Sequence, residues 1–274
     1  MNTLINYMFW VSAYLLLLWV VYHFIIRPQR NPTFSRGFIL GGLVISVVAA
    51  TGVFFSTSGI TINEMGGVLT LPEVVVYASE GLERSQLHIR DYLFTRQGIL
   101  HFSLFISLLV FIRFAGSLVY LVVKWRILKG RKINGLFVIP MRGDHTPFSF
   151  FRLVFIPERL LGDPGLEQVL LHERAHIIKL HSLDLVFLEL LSIFLWFHPV
   201  IWYLRQEIKM QHEFEADRYV LDHKVEKSYY QQLLINYSLR SYCLPITNPF
   251  NFSPLKKRVM MMNKCGRPTQ LSRG

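Results

Sequence analysis

Three stretches of the chain are apolar without helical or strand periodicity. Residues 6–26, NYMFWVSAYLLLLWVVYHFII, contain no Asp, Glu, Lys or Arg. Their length matches a hydrocarbon layer about 30 Å thick. The run is too long for a signal-peptide core and lacks a clear small-residue cleavage site, which predicts a retained helix. Residues 38–56 and residues 98–123 predict a second and a third span.

The pattern then changes. Leu136–Ile139 and Phe148–Ile156 are short β-prone runs separated by RGDHTP, a turn-like segment, and predict a small hairpin or sheet edge. GDPG follows, with Asp163 as an N-cap and Pro164 at the first helical position, and predicts a helix over about 164–181. A helical and then basic segment, 222–274, ends the chain; its SPLKKRVMMMNK run carries Lys256, Lys257, Arg258 and Lys264.

Composition agrees with a membrane protein. Of the 274 residues 52% are hydrophobic and only 17% are charged. The net charge of +11 then reads as basic cytoplasmic loops, and no direct nucleic-acid binding is expected. The first loop holds Arg27, Arg30 and Arg36 without an acid, and Lys124, Arg126, Lys129, Arg131 and Lys132 follow the third span. The 57–97 loop has mixed charge. This asymmetry predicts an outside N-terminus, an outside 57–97 loop and a cytosolic chain from about 124. Arg113 lies inside the third span and either contacts the domain that follows or snorkels toward headgroups. Cys243 and Cys265 form no disulfide or zinc pattern and are expected to be reduced.

The candidate chemistry is HERAH. His172 and His176 lie four apart, on one face of a helix, so two imidazoles can share a zinc ion. Glu173 sits beside the metal's open position, where it can take a proton from a water whose pKa zinc lowers toward about 7. A catalytic zinc usually takes a third protein ligand. QHEFEADRYVL offers His212, Glu213, Glu215 and Asp217. Glu213 and Asp217 share a face, with Glu213 as the expected ligand and Asp217 as the acceptor that orients a ligand histidine. Glu215 points to the opposite side. His181, nine residues after His172, is expected on the far side of the helix in a structural or exposed role. Asp184 is either a cap or a support of the zinc site. His212 and Arg205 are candidates for stabilising an oxyanion.

A fourth apolar stretch, 183–204, separates the histidines from Glu213. A full crossing would put His172 and Glu213 on opposite sides of the bilayer, where they cannot hold one ion. Pro199 lacks a donor and restricts His198, which favours a break at WFHP. Asp184 and Glu189 disfavour a lipid-exposed span. The expectation is two helices, about 183–196 and 199–221, bent at His198–Pro199. They lie on the cytosolic face or dip into the membrane and return, with their apolar sides on spans one to three.

HERAH, HSLD, WFHPVIWYLRQEIKMQHEFEAD and SPLKKRVMMM, after three spans and the PFSFF and FIP strands, resemble the BlaR1/MecR1-type membrane metallopeptidases, peptidase family M56. The resemblance runs over roughly residues 1–265. The HExxH and ExxxD pair is also similar to the Ste24/HtpX metallopeptidases. The first family implies His172, His176 and Glu213 as zinc ligands and Glu173 as catalytic base. It implies a mainly α, integral membrane fold: three transmembrane helices, then a gluzincin-like zinc metallopeptidase domain (124–221) with a small β-hairpin or sheet and a bent membrane-associated helix pair. Zn2+ is the expected cofactor, and a bacterial inner membrane with a cytosol-facing site the expected location. The expected function is cleavage of a cytosolic winged-helix repressor of the BlaI type, or of the protein itself, in antibiotic-response signalling; a homodimer is a candidate assembly. A quality-control or maturation peptidase of Ste24/HtpX type and a transducer with little proteolysis are the alternatives. Family members usually continue into another span and a sensor domain, so this chain is expected to be either truncated or a short paralogue. A zinc peptidase of this class commonly binds its substrate as an added strand, and HTPFSFFRLVFIP is the candidate edge.

Overall fold

The computed structural model describes residues 2–29, 31–57, 96–128, 130–143, 145–241 and 252–265. The predicted outside loop at 57–97 and Cys243 lie largely or wholly outside these residues, as does the side chain of Cys265. Helix α1 (Asn2–Val21) continues through a wider turn at Tyr22–Ile26 to Gln29, α2 covers Pro32–Thr57, and α3 covers Arg96–Ile127. Within them Asn6–Gln29, Pro32–Val53 and Gly98–Ile127 are long and apolar enough to cross a membrane. The third runs past its predicted end because Lys124 and Arg126 in its last turn suit the negative end of the helix dipole.

Four short strands follow: β1 (Arg131–Ile133), β2 (Leu136–Met141), β3 (Phe148–Phe150) and β4 (Leu153–Pro157). Their order is β1-β2-β4-β3, with β2 and β4 parallel. The single hairpin expected from the sequence is therefore two hairpins laid side by side. The first closes on Asn134 (φ 49°) and Gly135 (φ 78°), an Asn-Gly pair suited to a tight turn with two positive φ angles. The second folds Phe148–Pro157 back on itself at Phe151. Alternation gives the sheet two apolar faces. Val138, Val154 and Ile156 pack on Leu160 and Leu170, while Ile139, Met141 and Phe155 pack on Leu121 and Leu128 at the end of α3.

Helix α4 (Leu166–Ile178) carries HERAH. It starts later than predicted, with Gly165 as its N-cap. Asp163 instead accepts hydrogen bonds from the Gly165 N–H (2.8 Å) and the Tyr237 hydroxyl (2.9 Å), a local turn that competes with capping. The chain breaks at Leu180 (φ 57°), and α5 (His181–Phe194) begins at once. After Leu195–His198, α6 runs from Pro199 to Asp222 with Pro199 in its first turn. The predicted bend is thus in place, and its reason is the proline. Helix α7 (Lys227–Ser241) and helix α8 (Phe252–Cys265) complete the described chain.

The α5–α6 hairpin lies along the first two spans. Leu188, Leu195, Val200, Ile201, Leu204 and Ile208 share one buried cluster with Leu15, Tyr22, Ile39 and Leu43. A Cβ at Gly42 would run into Leu18, so glycine there lets α1 and α2 approach closely. Arg113 makes the domain contact rather than snorkelling: its Nη2 lies 2.9 Å from Glu189 of α5, and Arg205 of α6 also pairs with Glu189. The hairpin returns to its start, because His181 at the head of α5 meets Glu215 near the end of α6 at 3.2 Å.

The returning hairpin predicts a labelling result. In a background with Cys243 and Cys265 replaced by Ser, a cysteine at exposed Arg174 and another at exposed Arg218 are expected to react with a membrane-impermeant maleimide from the same side of sealed vesicles. Modification of the two from opposite sides would rule out a returning hairpin.

Candidate metal centre and active-site cleft

A cleft of about 870 Å³ opens between β3, the HERAH helix, the hairpin and the two C-terminal helices. His172, His176 and Glu213 meet on its wall, with one donor atom from each within 4.8 Å of the others. The Nε2 atoms of the two histidines are 3.2 Å apart, and Glu213 stands 3.5 Å from His172 Nε2 and 3.7 Å from His176 Nε2. Tetrahedral ligands at a zinc–donor distance near 2.05 Å are separated by about 3.3 Å. The donor set and spacing therefore fit that ion. Glu173 lines the same cleft and is buried, which raises its carboxyl above the usual range, while His172 acts in the opposite direction.

Each histidine has its other ring nitrogen engaged. His172 Nδ1 lies 2.9 Å from the Tyr230 hydroxyl, which donates to Asp217 Oδ1 at 2.9 Å. His176 Nδ1 lies 2.8 Å from His181 Nδ1, and His181 Nε2 lies 3.2 Å from Glu215 Oε2. Both chains end on a buried carboxylate. That pattern fixes ring orientation and suits presentation of both Nε2 atoms to one ion.

The electrostatics follow from these contacts. Burial pushes His172 down, but hydrogen bonds to Asp217 and Glu213 outweigh it and hold the imidazole up at about 9. Burial and the neighbouring His172 push His176 down to about 3. Burial also pushes Glu213 up, yet Arg258 and His172 prevail and hold it well below the carboxylate range.

Several expectations change here. His181 is neither on the far side of the helix nor exposed. The left-handed Leu180 turns the chain, so His181 starts a new helix and is 2% exposed. Asp184 caps nothing; it holds His212 Nε2 at 2.7 Å and Arg36 Nε at 2.6 Å. Glu215 does point away from Glu213, but into the protein, toward His181 and Arg36. Asp217 does stand behind His172, as expected, 3.5 Å from its Nδ1, and Tyr230 also bridges the two. Arg205 is turned to Glu189 and is not among the residues lining the cleft, and His212 lines it with one nitrogen already occupied. Arg258, counted in the sequence only as part of the basic C-terminal segment, is in the site. Its Nε and Nη2 donate to Asp217 at 2.8 and 2.6 Å, and Nη1 lies 2.8 Å from Glu213 Oε2. Within KKRV nothing distinguishes Arg258 from its neighbours; only the fold of α8 onto α6 does.

Residues 153–262 match the family described as BlaR1 peptidase M56. Over that stretch the chain is similar to the M56 peptidases. That stretch includes HERAH, Glu213, Asp217, Tyr230 and Arg258. A segment of 94 residues is 34% identical to the regulatory protein BlaR1 of Bacillus licheniformis, covering 33% of this chain and 16% of that relative. The matched segment is thus a small fraction of the relative's length.

Arg258→Ala is expected to leave the Asp217 carboxylate buried without its cation. Loss of one partner of such a pair costs about 3–5 kcal/mol. Denaturant unfolding of the metal-free protein in detergent measures it, and Arg258→Lys is expected to recover only part, because an ammonium cannot replace the fork.

Proposed function

We propose that this protein is a membrane-embedded, zinc-dependent endopeptidase whose substrate is a cytosolic regulatory protein, a repressor of the BlaI type, or the chain itself. The observation that carries the reading is the convergence of His172, His176 and Glu213 beside buried Glu173 in one cleft. These three side chains would hold Zn2+, which supplies a Lewis acid for the scissile carbonyl and lowers the pKa of the attacking water. Glu173 takes the proton from that water and delivers it to the leaving amine nitrogen. A carboxyl raised by burial suits both halves of that transfer, since its pKa moves toward the working pH.

The substrate backbone adds to the sheet at β3. Among the described residues this strand is an outer one, paired with β4, and Thr146, Pro147, Phe148 and Ser149 line the cleft. Its free edge can take an extended peptide in register with the metal centre. The basic loops favour a cytosol-facing cleft in a bacterial cytoplasmic membrane, with the N-terminus outside. Similarity to a regulatory protein favours a substrate in transcriptional control over general turnover.

Two variants test the reading. Glu173→Ala in the detergent-purified protein is expected to retain one equivalent of zinc and to lose cleavage of a co-expressed repressor by a factor of about 10²–10⁴. Glu213→Ala is expected to lose the zinc itself, measured by elemental analysis after dialysis. Cleavage that persists in Glu173→Ala, or an unchanged metal content in Glu213→Ala, would overturn the assignment.

A further inference from the structure

Arg36 belongs to the first turns of α2, the second span, and in the sequence it counts only as one of the charges that orient the chain. Its guanidinium is mostly buried and is divided among three elements of the site. Nε and Nη2 donate to the two oxygens of Asp184 at 2.6 and 3.2 Å, in the first turn of α5. Nη2 also donates to the Lys179 carbonyl at 2.8 Å. Nη1 lies 3.4 Å from Glu215 Oε2 on α6.

Each contact bears on a candidate ligand. Lys179 is the C-cap of the HERAH helix, where carbonyls lack partners inside the helix, so Arg36 satisfies the end of the helix that holds His172 and His176. Asp184 holds His212, whose ring stacks on His181 at 3.9 Å between centroids. Glu215 holds His181, and His181 holds His176. A continuous path of polar contacts therefore runs from the second span through Glu215 and His181 to His176. No comparable path from the other two spans reaches His172 or His176 among the described residues.

We propose that Arg36 is a positioning residue for His176, and that through it the second span sets the geometry of the metal centre. The inference rests on the reading of His172, His176 and Glu213 as metal ligands. A shift of α2 along its axis moves the guanidinium relative to Asp184 and Glu215. The planar fork transmits that shift to both carboxylates and hence to the ring of His176. Lysine cannot substitute, because a single ammonium cannot serve two carboxylates and a helix carbonyl in fixed directions.

The test uses the full chain in detergent. Zinc affinity is measured by competition with a chromophoric chelator, and coordination geometry by the visible spectrum of the cobalt-substituted protein. Arg36→Ala and Arg36→Lys are each expected to weaken zinc binding, the alanine variant by about 10–100-fold, and to alter the cobalt bands. Arg27→Ala, which breaks the pair between the end of the first span and Glu207, is expected to leave both readouts unchanged. In a His181→Ala background, Arg36→Ala is expected to add less than its full loss, since the Glu215 route to His176 runs through His181 while the Lys179 contact does not. Wild-type affinity and spectrum in Arg36→Lys, or losses that multiply in the double variant, would overturn the inference. If Arg36→Ala does not fold, the lysine variant and the double variant built on it decide. A wild-type chain that takes up no metal would instead strike at the peptidase reading itself.

Discussion

The contact between His181 Nε2 and Glu215 Oε2 joins the first residue of one apolar helix to the last turns of the next. Much of the stretch between them, from Leu185 to Leu204, is apolar. Because the two ends meet, the segment turns back on itself. The candidate metal centre depends on that return, since HERAH precedes the hairpin and Glu213 lies near its end. Proline at the tip makes the return possible by ending one helix and starting another. The apolar faces of the hairpin are then covered by the first two spans, in the cluster around Leu15, Ile39, Leu188 and Leu204.

A hairpin of this kind concentrates charge at its open end. Asp184, Glu215 and Asp217 are each nearly inaccessible, at 7%, 3% and 1% exposure. Isolated carboxylates at such depths are costly, so each has a cation or an imidazole. Arg36 serves Asp184 and Glu215 from α2, while Arg258 serves Asp217 and Glu213 from α8. The two arginines come from distant parts of the chain: Arg36 bridges α5 and α6, and Arg258 clamps two carboxylates of α6. Deeper along the hairpin Glu189 is shared by Arg113 and Arg205, which fastens the third span to the same unit. The site is therefore assembled by neutralisation as much as by apolar packing.

Orientation of the two histidines shows how this arrangement serves chemistry. A ring that can rotate presents its nitrogen to an ion only part of the time. Tyr230 and Asp217 fix His172, and His181 and Glu215 fix His176, so neither ring is left to rotate. Glu213 is held in turn by Arg258. The donors reach zinc-like spacing through protein contacts alone, which is preorganisation in the ordinary sense.

The sequence by itself determined the elements with local causes. Three long apolar runs read as spans, the proline at position 199 set the bend, and the spacing of His172 and His176 placed two imidazoles on one helix face. The partnership of Glu213 with that pair was legible too, because helical spacing separated it from Glu215. Tertiary structure alone decided what surrounds them. The parallel pairing of β2 with β4 joins strands whose order no local signal encodes. Leu180 adopts a left-handed conformation without a glycine to announce it, and that single turn carries His181 from the predicted far side to the back of His176. Arg36 and Arg258 look like topogenic and tail charges because sequence records charge but not the partner that burial will demand. Local periodicity fixes which face of a helix a residue occupies; only the packing of distant segments, each with carboxylates to neutralise, fixes what that face meets.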